Sequence, residues 1–180
     1  MFRLRMIALI GIVLAAAASR LLPHPPNFTP IAAMALFGGA YFADRRLAFL
    51  VPLLGMFLSD LILGLHRLLP VVYACFALIV CLGFWLRGRK SVLRIAGAAL
   101  AGSILFFVVT NFGVWAMGSL YPKSLDGLLA AYVAAIPFFR NTLAGDVLYT
   151  AALFGGFALL ESVVGALRER QPAATGRQAA

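Results

Sequence analysis

Hydrophobic residues run along this chain in long stretches that do not alternate with polar ones. Six stretches stand out, at residues 6–22, 30–43, 47–65, 70–86, 92–118 and 141–167. Five of them are long enough to cross about 30 Å of hydrocarbon at about 1.5 Å per helical residue. A membrane barrel would show short alternating strands instead. The pattern therefore predicts an all-α integral membrane protein.

The second stretch, residues 30–43, is the exception because it is short and carries Gly38 and Gly39, which disfavour a helix. By itself it could be a thin span or a re-entrant segment. The connections between stretches alternate between basic and less basic, and the positive-inside rule assigns the basic ones to the cytoplasm. Arg45 and Arg46 fall on that side only if residues 30–43 cross. We therefore predict a bundle of six transmembrane helices with both termini in the cytoplasm.

The composition agrees with this prediction. Of 180 residues, 63% are hydrophobic and 12% are charged, and the mean hydropathy is +1.00. A soluble domain carries about twice that fraction of charge. The net charge of +9 lies largely in short connections, where it orients helices and contacts anionic lipid, so nucleic acid is not an expected partner. The length fits one domain, residues 1–170, followed by a cytoplasmic tail, 171–180, whose composition predicts disorder.

Two segments leave alternatives open. The first twenty residues, with a basic start, an apolar core and four small residues at 15–18, also resemble a cleavable secretory signal, and its removal would leave five spans. Residues 128–139 are too few to span a bilayer and too apolar for a free loop. We predict that they lie across the helix ends at the interface, with Phe138 and Phe139 facing a ligand or lipid.

Polar residues concentrate toward one end of the predicted bundle. Asp60 lies near the outer end of the third stretch, Asp146 near the outer end of the sixth, and Asn111 in the outer part of the fifth. Because ionisable groups in membrane spans are costly, we predict an outward-facing cavity that binds a small molecule. The candidate substrate-binding residues are Asn27, Asp60, Tyr73, Asn111, Phe138, Arg140, Asn141 and Asp146. The alternative is structural, with Asp60 and Asp146 pairing with Arg20 or Arg140 to hold helices together.

Two local patterns bear on the architecture around that cavity. Residues 22–30 contain four prolines, which predict a stiff, non-helical loop over the helix ends. Runs of small residues, including 38–40, predict places where two helices pack closely.

The two cysteines, Cys75 and Cys81, fall on one predicted helix about 120° apart, so they cannot bridge each other. With both histidines in other loops, they do not form a zinc site. Buried cysteines are usually small hydrophobic residues, and Cys81 fits that description. A thiolate at Cys75, among the outer polar residues, would be a soft ligand for a late transition metal. No nucleotide-binding or hydrolase motif is present, so we expect neither an enzyme nor a prosthetic group.

Several segments carry a resemblance to a known family, at residues 27–39, 58–64, 110–112 and 136–141. They resemble the S-components of energy-coupling-factor vitamin transporters, and most closely the solitary cobalamin transporters of the BtuM type. The resemblance implies a six-helix S-component-like protein of the bacterial inner membrane that imports cobalamin as a substrate. It implies that Cys75 is the axial ligand of the cobalt, with Cys81 as the alternative ligand, and that an ATPase module powers transport.

If the protein binds cobalamin, displacement of a ligand from the cobalt would accompany binding and would not make the protein an enzyme.

Two hypotheses for functions other than transport stay open. One is a non-transporting membrane scaffold or assembly factor whose outer polar residues are structural, and the other is an intramembrane enzyme.

Overall fold

The computed structural model describes residues 2–168, which are helical with no strand in that range. The main helices are α1 (Phe2–Ser19), α2 (Ile31–Tyr41), α3 (Arg45–Leu63), α4 (Leu69–Trp85), α5 (Val92–Met117) and α6 (Leu125–Thr150). Helix α6 continues through a π-helical turn, Ala151–Gly155, into α7 (Gly156–Val163), and a short 3₁₀ turn follows at Gly165–Leu167. The all-helical prediction is confirmed, and the first five helices begin and end within a few residues of the predicted stretches. The predicted disordered tail, 171–180, lies outside the described residues.

The last helix differs from the prediction. Residues 128–139 do not form a separate interfacial segment but belong to one continuous helix, Leu125–Val163, of 39 residues. That prediction is wrong because residues 128–139, too few to span a bilayer by themselves, are part of a longer helix. Ser124 caps the true start by accepting a hydrogen bond from the Gly127 amide at 3.2 Å. As a result, Asp146 lies about 30 Å along this helix rather than near its outer end.

Three helices are long and apolar enough to cross a membrane by length and composition: Arg45–Leu63, Val92–Met117 and Leu125–Val163. Helices α2 and α4 are also apolar but shorter. Many large apolar side chains point outward; Ile62 is 71% exposed, Leu93 83% and Val163 77%. An outer surface of this kind is typical of helices that face lipid rather than water.

Helix α2 occupies the centre of the bundle. It contacts α1, α3, α4, α5 and α6, and ten of its eleven residues are buried. A Cβ atom on Gly39 would lie 2.1 Å from the carbonyl oxygen of Val80, and one on Gly83 would lie 2.4 Å from that of Leu36. The close packing predicted for residues 38–40 is therefore confirmed, and it brings the backbone of α2 against that of α4.

Basic side chains close the end of the bundle at which α2 terminates. Arg87 caps α2 by donating from Nε to the Gly39 carbonyl at 2.9 Å and from Nη2 to the Phe42 carbonyl at 2.5 Å. Arg5 forms an ion pair with Glu161 at 2.6 Å, which joins α1 to α7. The polar residues predicted to bind a substrate lie toward the opposite end, where α2 begins.

Candidate functional site

A cavity of about 310 Å³ lies at the end of the bundle where α2 begins, and it is called the polar cavity below. Its polar lining residues are Arg20, Asn27, Thr29, Asp60, His66, Thr110, Asn111, Thr142 and Asp146. Its aromatic lining residues are Phe76, Phe106, Phe107, Phe138 and Phe139. Ligand pockets in proteins span about 300–1,000 Å³, so this volume is at the lower end of that range.

Asp60 belongs to a closed cluster of polar groups on one side of the polar cavity. Arg20 Nη2 lies 2.8 Å from Asp60 Oδ1, and the Tyr73 hydroxyl donates to Asp60 Oδ2 at 2.9 Å. Arg20 also donates to the Met56 carbonyl at 3.2 Å and to the Ser59 hydroxyl. Asp60 is 4% exposed, and both of its oxygens have partners. The predicted pairing of Asp60 with Arg20 is confirmed, and it ties the end of α1 to α3.

Asp146 has a different environment. Its Oδ2 accepts a hydrogen bond from the Ser103 hydroxyl at 2.5 Å, and the residue is 4% exposed. Within residues 2–168 it forms no ion pair, so the predicted pairing with Arg20 or Arg140 is wrong for this carboxylate. Ser103 lies near the middle of α5, which puts Asp146 at mid-depth in the bundle.

The helix that carries Asp146 changes its geometry one turn later. Thr150 is the last residue before the π-helical turn, and its buried hydroxyl oxygen has no hydrogen-bond partner in the described chain. Single π-helical turns within α-helices occur frequently at functional sites. The irregular backbone therefore marks the same region of α6 as the unpaired carboxylate.

The proline-rich loop, residues 22–30, is fixed against α6 beside Asp146. The Phe28 amide donates to the Pro25 carbonyl at 3.1 Å, which closes a tight turn, and Asn27 sits in it with φ of 64°. Asparagine tolerates this left-handed conformation, which a type II turn requires at its third residue. The Asn141 side chain donates to the Pro26 carbonyl at 2.9 Å. A Cβ on Gly145 would lie 3.2 Å from the Thr29 amide nitrogen, so only glycine permits this approach without a local shift.

Aromatic rings form much of the cavity wall. Phe76 and Phe106 are stacked with ring centroids 5.2 Å apart, and Phe107 and Phe139 are tilted at 4.6 Å. Phe138 lines the cavity as well, although it is 44% exposed overall. Rings paired in this way stabilise each other and form a firm, apolar wall.

The predicted site residues fall into three groups. Those that line the polar cavity are Asn27, Asp60, Asn111, Phe138 and Asp146. Tyr73 and Asn141 do not line it, but they hold Asp60 and the proline-rich loop in place. Arg140 is exposed and is not part of the lining. The substrate-binding role of all eight stays a prediction.

Sequence reasoning missed Ser103, Thr142 and most of the aromatic wall. One signal was present on α5, where Phe107, Asn111 and Val114 share one face at helical spacing, and all three line the cavity. The side chain of Asn111 donates to the Phe107 carbonyl at 2.8 Å on that face. Ser103 gave no comparable signal because its importance comes from its bond to a residue on another helix.

Neither cysteine lines the polar cavity. Cys75 is completely buried, whereas Cys81 is exposed on the outer surface of α4 near Trp85. Within residues 2–168 no group of three or more His, Cys, Asp or Glu side chains is arranged to hold a metal ion. A single thiolate on a cobalt atom would not need such a group, so the ligand role of Cys75 stays a prediction.

Comparison with known proteins gives a family. No curated protein and no solved structure matches the chain. The sequence model of one family matches residues 1–170, which is nearly the whole chain. The chain therefore belongs to DUF6580, a family of unknown function.

Proposed function

We propose that this protein is a membrane-embedded binding protein that takes up a small, vitamin-like molecule through the polar cavity. It would lie in the bacterial inner membrane as six spans, with both termini in the cytoplasm. The observation that carries the proposal is a cavity of ligand size that combines aromatic walls with convergent polar groups, beneath a loop fixed by hydrogen bonds.

The distribution of charge supports the proposed orientation. Arg5 and Arg87 lie at the end where α2 terminates, and Lys90 lies over the Tyr41 ring at 4.8 Å on the same side. The positive-inside rule assigns such an end to the cytoplasm, which would turn the polar cavity outward. An outward cavity is what a protein that captures nutrients needs.

Mass spectrometry of co-purified small molecules tests the binding function. Ala135 lines the polar cavity and is 8% exposed, so Ala135→Trp fills it. Its neighbour Ala134 is exposed and outside the lining, so Ala134→Trp is the matched control. We expect a compound that accompanies the wild-type protein and Ala134→Trp but is lost from Ala135→Trp. Equal recovery from both variants would reject the polar cavity as a binding site.

Cobalamin is the substrate that the family resemblance suggests, and it makes two demands on this geometry. The thiol of Cys75 has to turn from a fully buried position toward the ligand, and the cavity of about 310 Å³ has to widen around a corrin with its amide arms. Transport would in addition need an ATPase module as a partner.

The visible spectrum of protein purified from cells fed cobalamin tests this more specific proposal. A bound corrinoid whose spectrum changes in Cys75→Ser but not in Cys81→Ser supports cobalt ligation by Cys75. A colourless wild-type protein, or an unchanged spectrum in Cys75→Ser, rejects it. Neither result depends on the test with Ala135→Trp, which asks only whether some molecule is bound.

The membrane scaffold remains the second candidate, and the bonded cluster around Asp60 supports it because those bonds join α1, α3 and α4. It predicts that no variant of the cavity lining changes the uptake of any nutrient. Growth of vitamin auxotrophs on trace substrate, with the wild-type chain or with Ala135→Trp, separates the two functions.

A further inference from the structure

The charged groups that line the polar cavity do not balance. Arg20 and Asp60 neutralise each other, with Arg20 Nη2 2.8 Å from Asp60 Oδ1. Within residues 2–168, the carboxylate of Asp146 has no ion-pair partner. An isolated carboxylate in an apolar interior is very costly unless a proton or a cation neutralises it. Such groups within membrane helices usually serve a function.

No described residue forms an ion pair with Asp146. Besides Ser103, the groups that pack around Asp146 are apolar or uncharged: Ala32 and Ala33 on α2, Ile79 on α4, Ala99 on α5 and Thr150 on α6. A mainly apolar groove between α5 and α6 also reaches Asp146 and contains Lys90 at its far end. Lys90 precedes α5, so about 18 Å of helix separates it from Ser103 and the carboxylate.

The rest of the cavity suits a positive charge. The faces of aromatic rings attract cations, and the effect strengthens where water is excluded. Phe76, Phe106 and Phe107 line the same cavity as Asp146, and Asp146 Oδ1 makes no hydrogen bond to the described residues. The cavity thus offers a carboxylate oxygen and aromatic rings, while Arg20 in its lining is engaged by Asp60.

We propose that the polar cavity selects an organic cation with an apolar or aromatic body, and that Asp146 is its counter-ion. This inference rests on the proposed binding function but not on cobalamin. In the empty protein a proton can neutralise the same carboxylate, so the proton and the ligand compete. Of the other titratable residues in the lining, Arg20 and Asp60 are paired with each other, and Tyr73 beside the cavity donates to Asp60, which leaves His66 to be tested.

The test uses the full-length protein in lipid nanodiscs and equilibrium dialysis with three probes of similar size. Benzyltrimethylammonium carries a fixed positive charge, benzyl alcohol is neutral, and phenylacetate is negative. Specific binding is the part lost in Ala135→Trp, which removes partition into lipid from the comparison. We expect the cation to bind at least tenfold more tightly than either other probe. Comparable or tighter binding of benzyl alcohol or phenylacetate would overturn the proposal.

A pair of variants tests the role of Asp146. Asp146→Asn keeps the shape and an acceptor for Ser103 but removes the charge, and we expect it to weaken binding of the cation at least tenfold. Asp126→Asn makes the same change on the same helix at an exposed position outside the cavity, and we expect it to have no effect. Unchanged affinity in Asp146→Asn would overturn the assignment of the counter-ion.

The wild-type protein provides a measurement that does not depend on folding of a variant. Because the charge of the probe is fixed, its affinity should fall by up to about tenfold per pH unit once the carboxyl takes up its proton. Repeating the series in His66→Gln removes the histidine of the lining and should leave this profile unchanged. A flat affinity across about pH 4 to 8 would overturn the proposal.

The outcomes separate the two proposals. If a neutral or negative probe binds specifically and at least as tightly as the cation, the binding function stands and the selection for cations fails. If no probe binds and Ala135→Trp and Ala134→Trp yield the same co-purified compounds, the binding function fails as well.

Discussion

Replacing Asp60 with asparagine should lower the stability of the protein far more than the same substitution at Asp146. The two residues are equally buried, each at 4% exposure, and both line the polar cavity. They differ in their partners. Asp60 neutralises Arg20 and accepts a hydrogen bond from the Tyr73 hydroxyl, whereas Asp146 accepts one hydrogen bond from Ser103. The same chemical change therefore removes a partner at one site and an uncompensated charge at the other.

The expected magnitude follows from those partners. Removing one member of a buried ion pair costs about 3–5 kcal/mol, because the other charge stays buried without compensation. For a chain of this size, each kcal/mol shifts the melting temperature by about 2–4 °C, so Asp60→Asn should melt about 6–20 °C lower. Asp146→Asn keeps an oxygen to accept the Ser103 hydrogen bond and should melt at or above the wild-type temperature.

Thermal unfolding of the purified protein, followed by circular dichroism in one detergent, measures both variants. A third variant sharpens the result: Arg20→Met in the Asp60→Asn background removes the orphaned charge and should recover part of the lost stability. Equal loss of stability in the two asparagine variants would refute the reasoning. So would a double variant that is less stable than Asp60→Asn alone.

Three further predictions concern the elements around the cavity. Gly39→Ala should lower the free energy of unfolding by about 1–3 kcal/mol, because its Cβ would lie 2.1 Å from a carbonyl oxygen of α4. Gly97→Ala has no atom within 4 Å of its Cβ and should be neutral or stabilising in the same melting assay. Asn27→Gly should keep the fold of the loop while removing a lining side chain. Asn27→Ala should lower the free energy of unfolding by about 1–2 kcal/mol relative to Asn27→Gly, because a φ of 64° disfavours alanine. Equal melting temperatures for the two variants would contradict this. Arg87→Met should cost about 1–3 kcal/mol by leaving buried carbonyls at the end of α2 without donors, and hydrogen exchange at the last turn of α2 should then rise before global unfolding.

The candidate site could be predicted only in part. The polar residues were recognisable because a carboxylate or an amide is conspicuous within an apolar helix, and Asp60, Asn111 and Asp146 do line one cavity. Their roles could not be separated in the same way. In sequence the two aspartates look alike, each an acidic residue in an apolar stretch, and either could have been assigned a nearby arginine.

The depth of Asp146 in the bundle shows why the sequence could not separate the roles of the two aspartates. The apolar residues at 128–139 were too few to count as a span, so the sixth helix was expected to start at residue 141. In the structure it starts at Leu125 and passes through Pro137 without a break, which moves Asp146 to the level of Ser103. A short interfacial helix and the first turns of a long helix have the same local composition, so only packing against α5 distinguishes them.

The sequence by itself determined the helical class, the approximate bounds of five helices and the concentration of basic residues at one end. These properties depend on how each segment partitions between water and lipid, which is a local property of its side chains. The tertiary structure decided which carboxylate is neutralised, because that depends on the relative depth and rotation of helices far apart in the chain. Arg20 reaches Asp60 across α1 and α3, while Asp146 accepts a hydrogen bond from Ser103 and forms no ion pair within residues 2–168. That difference separates a structural ion pair from the candidate binding group.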